Sequence, residues 1–405
     1  MSQDNDNAAK TYRYDICRAP FHGVCESTAA IATLIAIRGY GADEGGTADI
    51  IKSLLNAAPF LGLLLTTFFI AVAGKTGARA TRIVAFYLFV CGGLLMLSSV
   101  AGGLIGFTLC FVGAYVIFSQ QAPMMISTYS RNYTPQERGQ RVSTVLLIGS
   151  GSSAAFSFLG ARLLDWQFNW FPAILVFLGV SCIVNALLVR QIPSDPLEQA
   201  ETGNPLRSIK LAWSDKLFGW LLASWMLMGF GNLMTIPIRV EILANPEYGI
   251  NATNEQVLLA SMIIPQIASL VSAKIWGALF DQMNFIFWRL CVNTCFFFGM
   301  ILYFNGPSLS VVYLGSILLG LGMGGGRIGW NLWVTKIAPM EKVSAYMSVH
   351  TMFTGARGIC APFIGYLVLT AFSPPAVGWL AAGLIFVSSS MFAILRRNER
   401  FSKVL

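Results

Sequence analysis

Twelve long apolar stretches, separated by short clusters of charge, constrain this chain more than any single motif does. A bilayer-spanning helix needs about 20 predominantly apolar residues. Dividing the sequence where charges or Gly, Pro and Asn clusters interrupt the runs gives spans near 19–38, 48–73, 80–98, 101–128, 140–162, 169–190, 215–240, 254–278, 286–304, 309–337, 343–371 and 375–395. Composition agrees: 55% of residues are hydrophobic and 11% charged, whereas soluble domains are about 25% charged. The sequence therefore specifies an all-α membrane protein whose main partner is the lipid bilayer.

The net charge of +8 has a topological explanation. With the N-terminus inside, most Lys and Arg fall in cytoplasmic loops, and only Arg38, Lys52, Arg162 and Arg239 fall outside. That bias puts both termini in the cytoplasm, and with no basic stripe interleaved with aromatics, nucleic acid is not an expected partner. The eight cysteines form no C-x-x-C pair and the chain has two histidines, so neither a zinc site nor a disulfide framework is expected. No cofactor is implied. The first apolar stretch lacks a signal-peptide pattern and is expected to remain as a helix.

Landmarks recur at half length. Pro59 pairs with Pro265, Arg82 with Arg289, and Pro135-Gln-Glu137 with Pro339-Met-Glu341, at nearly constant offset. The expected organisation is a cytoplasmic N-terminus (1–18), a six-helix half (19–190), a cytoplasmic linker (191–214), a second six-helix half (215–395) and a cytoplasmic tail (396–405). Duplicated six-helix halves are the plan of one large transporter fold.

At this point the chain resembles the major facilitator superfamily, over nearly its whole length. The clearest local signature is Gly277-Ala-Leu-Phe-Asp281, which fits the start of that family's G-x-x-x-D-R-x-G-R-R loop; Arg289 follows it. The equivalent first-half loop, Gly74-Lys-Thr-Gly77-Ala-Arg79, has Gly74 where the family has Asp. The resemblance implies a conformational-switch role for these loops, which the first-half departure either removes or leaves to Asp281. The family's antiporter motif in the fifth span is not met, because Gly149, Gly151 and Gly160 lack a following Pro there. Glycines at such spacings also let helices approach closely in lipid.

Charges within spans are costly and mark sites. Glu26 lies eight residues past Arg18, roughly 12 Å along a helix; Arg327 lies nine before Lys336, Arg357 falls mid-span, and His350 is eight past Lys342. The resemblance implies that spans one, four, seven and ten line a central cavity, which puts Glu26 and Arg327 on cavity helices. Glu26 and His350 are the proton-coupling candidates. Arg327 and Arg357 are the candidate clamps for an anionic group, joined by Trp330, Asn331, Gln120, Gln121, Asn56 and Asn232 for hydrogen bonding or stacking. Two structural alternatives stand beside this reading. Glu26 and Arg327 would form a buried ion pair that fixes packing, or Arg357 would bond backbone carbonyls of a kinked helix. The glycine run Gly322, Gly324, Gly325, Gly326 and Gly329 is read as freeing space around Trp330; without a preceding strand or a Gly-Lys-Ser/Thr it is no nucleotide loop.

The expectation is a monomeric secondary transporter of the bacterial inner membrane. It moves a small organic solute, by preference anionic, through alternating access, with proton coupling open. A proton-driven exporter of lipophilic or cationic compounds through Glu26 is the alternative. Two His and no convergent carboxylates argue against an enzyme.

Overall fold

Lipid offers the backbone no hydrogen-bond partner, so apolar runs of this length can satisfy their own N–H and C=O groups only as helices or closed barrels. The computed structural model describes residues 2–26, 28–42, 45–196, 209–338 and 343–395, and these are almost wholly helical. The only strand-like feature among them is an isolated bridge between Arg79 and Pro196. Among the described residues eleven helices are long and apolar enough to cross a membrane, or twelve if a bent N-terminal pair is one span.

The chain forms two compact units that divide near residue 201. The first contains α1 (Ser2–Glu26), α2 (Thr28–Tyr40), α3 (Gly46–Gly74), α4 (Ala80–Val100), α5 (Leu104–Phe118), α6 (Gln121–Asn132), α7 (Pro135–Trp166) and α8 (Phe171–Val189). Beyond it come α9 (Leu211–Ser214), α10 (Lys216–Ala244) and α11 (Asn254–Leu258), which runs through a π turn at Leu259–Ile263 into α12 (Ile264–Gln282). The second unit is completed by α13 (Phe285–Asn305), α14 (Leu309–Leu332), α15 (Val343–Ala371) and α16 (Pro374–Ile394).

Packing bears out the internal repeat. In the first unit α4 lies against α8 and α5, α1 against α7 and α8, and α3 against α5. In the second, α13 lies against α16 and α14, α10 against α15 and α16, and α12 against α14. Each pairing in one unit thus has its counterpart in the other. Small residues make the closest crossings, as expected where lipid supplies no hydrophobic drive between helices. A Cβ on Gly23 of α1 would fall 1.9 Å from the Gly149 carbonyl oxygen of α7, and one on Gly365 of α15 would fall 2.1 Å from the Met234 carbonyl oxygen of α10.

Two expectations need correction. Residues 2–18, expected as a polar extension ahead of the first span, belong to α1, with Thr11, Asp15 and Arg18 buried. The first span is broken: the axes of Asp6–Glu26 and Ala30–Tyr40 differ by 43°. The Glu26 side chain is 47% exposed, whereas Asp15 and Glu241, outside the expected spans, are each 1% exposed. Of the expected linker, 197–208 lie outside the described residues, as do Pro339-Met-Glu341 of the repeat and the tail 396–405.

The first-half switch loop has a definite anchor. Gly77 takes a left-handed φ of 64° in the turn after α3. Just beyond it the Thr81 hydroxyl donates to the Ile192 carbonyl at 3.0 Å, and the Ala80 amide donates to the Asp195 carbonyl at 3.1 Å. Gly74 is buried at the end of α3, and Arg79 is exposed. In the second half Gly277 lies within α12, with the Ile328 side chain 3.8 Å from where its Cβ would be. The side chain of Asp281 lies outside the described residues.

Candidate substrate cavity

Four helices of the second unit surround a cavity of about 250 Å³. From α10 come Trp225, Gly229 and Asn232; from α13, Arg289 and Phe296; from α14, Gly326, Arg327 and Trp330; from α15, Arg357. Trp225, Gly229 and Asn232 share a face because they are four and three residues apart on one helix. Arg327 and Trp330 share one for the same reason.

Arg289 departs from a sequence expectation. It was paired with Arg82 and grouped with the switch-loop residues, although the apolar stretch 286–304 contains it. In the structure Arg82 is exposed in the first turn of α4, whereas Arg289 is wholly buried in α13. The Asn284 side chain caps that helix by accepting the amides of Ile286 and Phe287, so the helix is already established when the chain reaches Arg289. None of the three guanidinium nitrogens of Arg289 has a hydrogen-bond partner among the described residues. Its charge rests on aromatic faces, with Cζ 3.7 Å from the Trp225 ring centroid and 5.8 Å from that of Phe392. Cation–π contact of this kind offsets desolvation only in part.

Arg357 reaches the same cavity from α15. Its Nη1 donates to the Trp225 backbone carbonyl, and its Nε has no partner. Glycine at 229 is required for this approach: a Cβ there would lie 2.0 Å from Arg357 Nη1. The carbonyl contact expected of Arg357 therefore exists and uses one of its nitrogens. Arg327 is the exposed member of the trio.

The remaining polar groups on the wall are donors. Asn232 accepts from Arg239 Nη2 at 2.8 Å through its Oδ1, which leaves its amide hydrogens for the cavity. The buried Trp225 Nε1 has no acceptor among the described residues. Among the described residues no acidic side chain lines the space.

His350 sits beside the cavity in a box of indoles. Its ring centroid is 5.8 Å from Trp225, 5.5 Å from Trp330 and 5.3 Å from Trp333. It is fully buried, and neither ring nitrogen has a partner among the described residues. The glycines of α14 mostly seat neighbours instead of freeing space. A Cβ at Gly322 would meet Phe296, at Gly324 the Ser272 hydroxyl and at Gly325 Val292, whereas Gly326 alone among them borders the cavity. The Asn331 side chain lies outside the described residues.

The other expected polar residues belong to the first unit, where they are bonded within the core. Asn56 Nδ2 donates to the Thr33 hydroxyl and the Lys52 carbonyl, each at 2.9 Å. Gln120 Nε2 donates to the carbonyls of Gly62 and Val116, each at 2.8 Å. Gln121 bonds His22 Nδ1 at 2.9 Å and accepts from Asn185 at 3.1 Å. Glu26 lies 3.4 Å from His22 Nε2 at the end of α1.

A charge cluster that sequence reading missed lies in the same unit. Arg18 meets Asp15 at 2.6 Å and the Tyr129 hydroxyl at 2.6 Å, and Tyr133 donates to the other Asp15 oxygen at 3.2 Å. Burial, reinforced by the Asp15 carboxylate, pushes the Tyr133 hydroxyl well above its ordinary pKa, so it stays a donor. No periodicity in α1 signals this cluster, because its partners come from α6 and the turn after it, more than 100 residues away.

The family model of the Major Facilitator Superfamily matches residues 25–356. No curated protein matches the sequence. Among solved structures, the nucleoside transporter NupG superposes with a TM-score of 0.71 at 11% identity, covering 97% of this chain and 100% of its own. The inward-open xylose transporter XylE from E. coli gives 0.69 at 12% identity, covering 95% and 96%. A bacterial homologue of the human lysosomal transporter Spinster, inward-facing and occupied, gives 0.63 at 13% identity, covering 97% of each chain. At these identities the likeness is one of fold.

Proposed function

Since the chain belongs to the major facilitator superfamily and is a secondary transporter and not an enzyme, we propose that the solute it moves by alternating access is a small organic anion. The observation that carries this is the cavity wall: Arg289, Arg327 and Arg357 from three helices, donor groups of Asn232 and Trp225 between them, and no carboxylate. Guanidinium groups bind carboxylate or phosphate through two parallel hydrogen bonds, and in a low-dielectric wall an unmatched charge favours an ion of opposite sign. Trp225, Phe296 and Trp330 supply flat apolar surface for the rest of the molecule.

His350 and Glu26 remain the proposed proton-coupling groups. His350 has the stronger support, being next to the cavity with both ring nitrogens unpartnered. Export of a cation through Glu26 has less, since that carboxylate is half-exposed and already near His22. The distribution of basic loops supports placing both termini in the cytoplasm; the bacterial inner membrane is the proposed location and a monomer the proposed unit.

The test is uptake into proteoliposomes. Purified protein should exchange labelled aromatic carboxylates across the membrane, an imposed proton gradient should drive accumulation, and Arg327→Gln or Arg357→Gln should abolish exchange. Unchanged exchange kinetics in both variants would defeat the anion assignment.

A further inference from the structure

The charges around the cavity do not balance, and the imbalance has a definite size. Arg289 is wholly buried with all three nitrogens unpartnered, and Arg357 has one nitrogen on a backbone carbonyl and its Nε free. Neither forms an ion pair among the described residues. The third cation, Arg327, is exposed and has interactions of its own. Two guanidinium charges therefore face one small cavity with no counter-charge among the described residues.

We infer that the substrate is a dianion, a small molecule with two negative charges such as a dicarboxylate or a phosphate monoester, held between Arg289 and Arg357. This rests on the anion reading above and sharpens it. A monoanion would leave one buried guanidinium uncompensated, which is the costly state; a dianion neutralises both. Trp225 organises the pair: its ring face carries Arg289 and its carbonyl holds Arg357. Gly229, one turn further along α10, gives Arg357 the room to reach that carbonyl. Asn232, with its oxygen taken by Arg239, adds N–H donors, so that the polar wall is built from donors alone. The cavity volume of about 250 Å³ suits a compact molecule of one ring or a short chain, and its indole walls suit a planar one.

Matched ligands test this. Binding of benzoate, phthalate and phenyl phosphate to the purified full-length protein would be measured by titration calorimetry at a pH where the last two are dianions. The expected result is that one of the dianions binds at least about tenfold more tightly than benzoate, whichever is preferred identifying carboxylate or phosphate as the second group. In Arg289→Gln that preference should fall to about one, and Arg289→Lys should restore part of it. Thermal midpoints without ligand confirm that the variants are folded. If benzoate binds as well as both dianions and Arg327→Gln removes its binding, the dianion inference is overturned while the anion reading stands. If no anion binds and a neutral nucleoside or pentose does, both are overturned.

Discussion

Two buried arginines in duplicated halves of one fold are treated in opposite ways. Arg18 of the first unit is enclosed by Asp15, Tyr129 and Asn185, so its charge is matched by the protein and ties α1 to α6 and α8. Arg289 of the second is as deeply buried and, among the described residues, has no ion pair or hydrogen bond, only the faces of Trp225 and Phe392. The same helix pairings recur in both units, so the difference does not come from architecture. A buried charge satisfied by its own chain stabilises packing, and one left unmatched at a cavity is set aside for something that arrives.

The largest effect should come from breaking the matched cluster. Asp15→Ala leaves Arg18 buried without its carboxylate and should cost about 3–5 kcal/mol, seen as a marked fall in the thermal midpoint in detergent. Removing a cation from the other unit should weaken binding and spare the fold. Arg357→Gln should reduce anion affinity by the worth of a charged hydrogen-bonded contact, about 1.5–3 kcal/mol, read by calorimetry. Arg289→Met should raise the ligand-free midpoint, by about 1 kcal/mol of stability or more, because it replaces an unmatched buried charge with apolar volume; a fall comparable to that of Asp15→Ala would erase the contrast between the units. Gly229→Ala should be mildest. Its methyl group would displace the mobile end of Arg357, costing about 1 kcal/mol in anion binding with little change in stability.

Much of the architecture was legible because lipid makes it so. Apolar runs of span length have few alternatives, and the spacing of Pro59 and Pro265 reflects a real duplication of helix pairings. Arg327, Trp330, Arg357 and Asn232 were legible as candidates because polar and aromatic groups in apolar runs stand out against their surroundings, and the structure places all four around one cavity. Arg289 was harder to read. It falls within the apolar stretch 286–304 but close to its start, and its match to the loop residue Arg82 hid a burial that depends on Trp225 and Phe392, far away in sequence. Asp15 was hidden in a polar segment whose burial depends on tyrosines distant in sequence. Gln120, Gln121 and Asn56 were visible as polar residues in spans, yet composition does not reveal that Val116, Asn185 and Thr33 have already claimed their hydrogen bonds.

The central claim, that the arginine-lined cavity of the second unit takes an anion, is tested most directly by ligand-dependent thermal stability of the wild type and of Arg357→Gln. Organic anions, pentoses, nucleosides and lipophilic cations would be compared side by side. A ligand at 100 times its dissociation constant adds about 2.7 kcal/mol, a shift that is easily seen. The account predicts stabilisation by anions that is largely lost in Arg357→Gln. Stabilisation by cations or neutral solutes alone, or anion stabilisation that is unchanged in the variant, would contradict it.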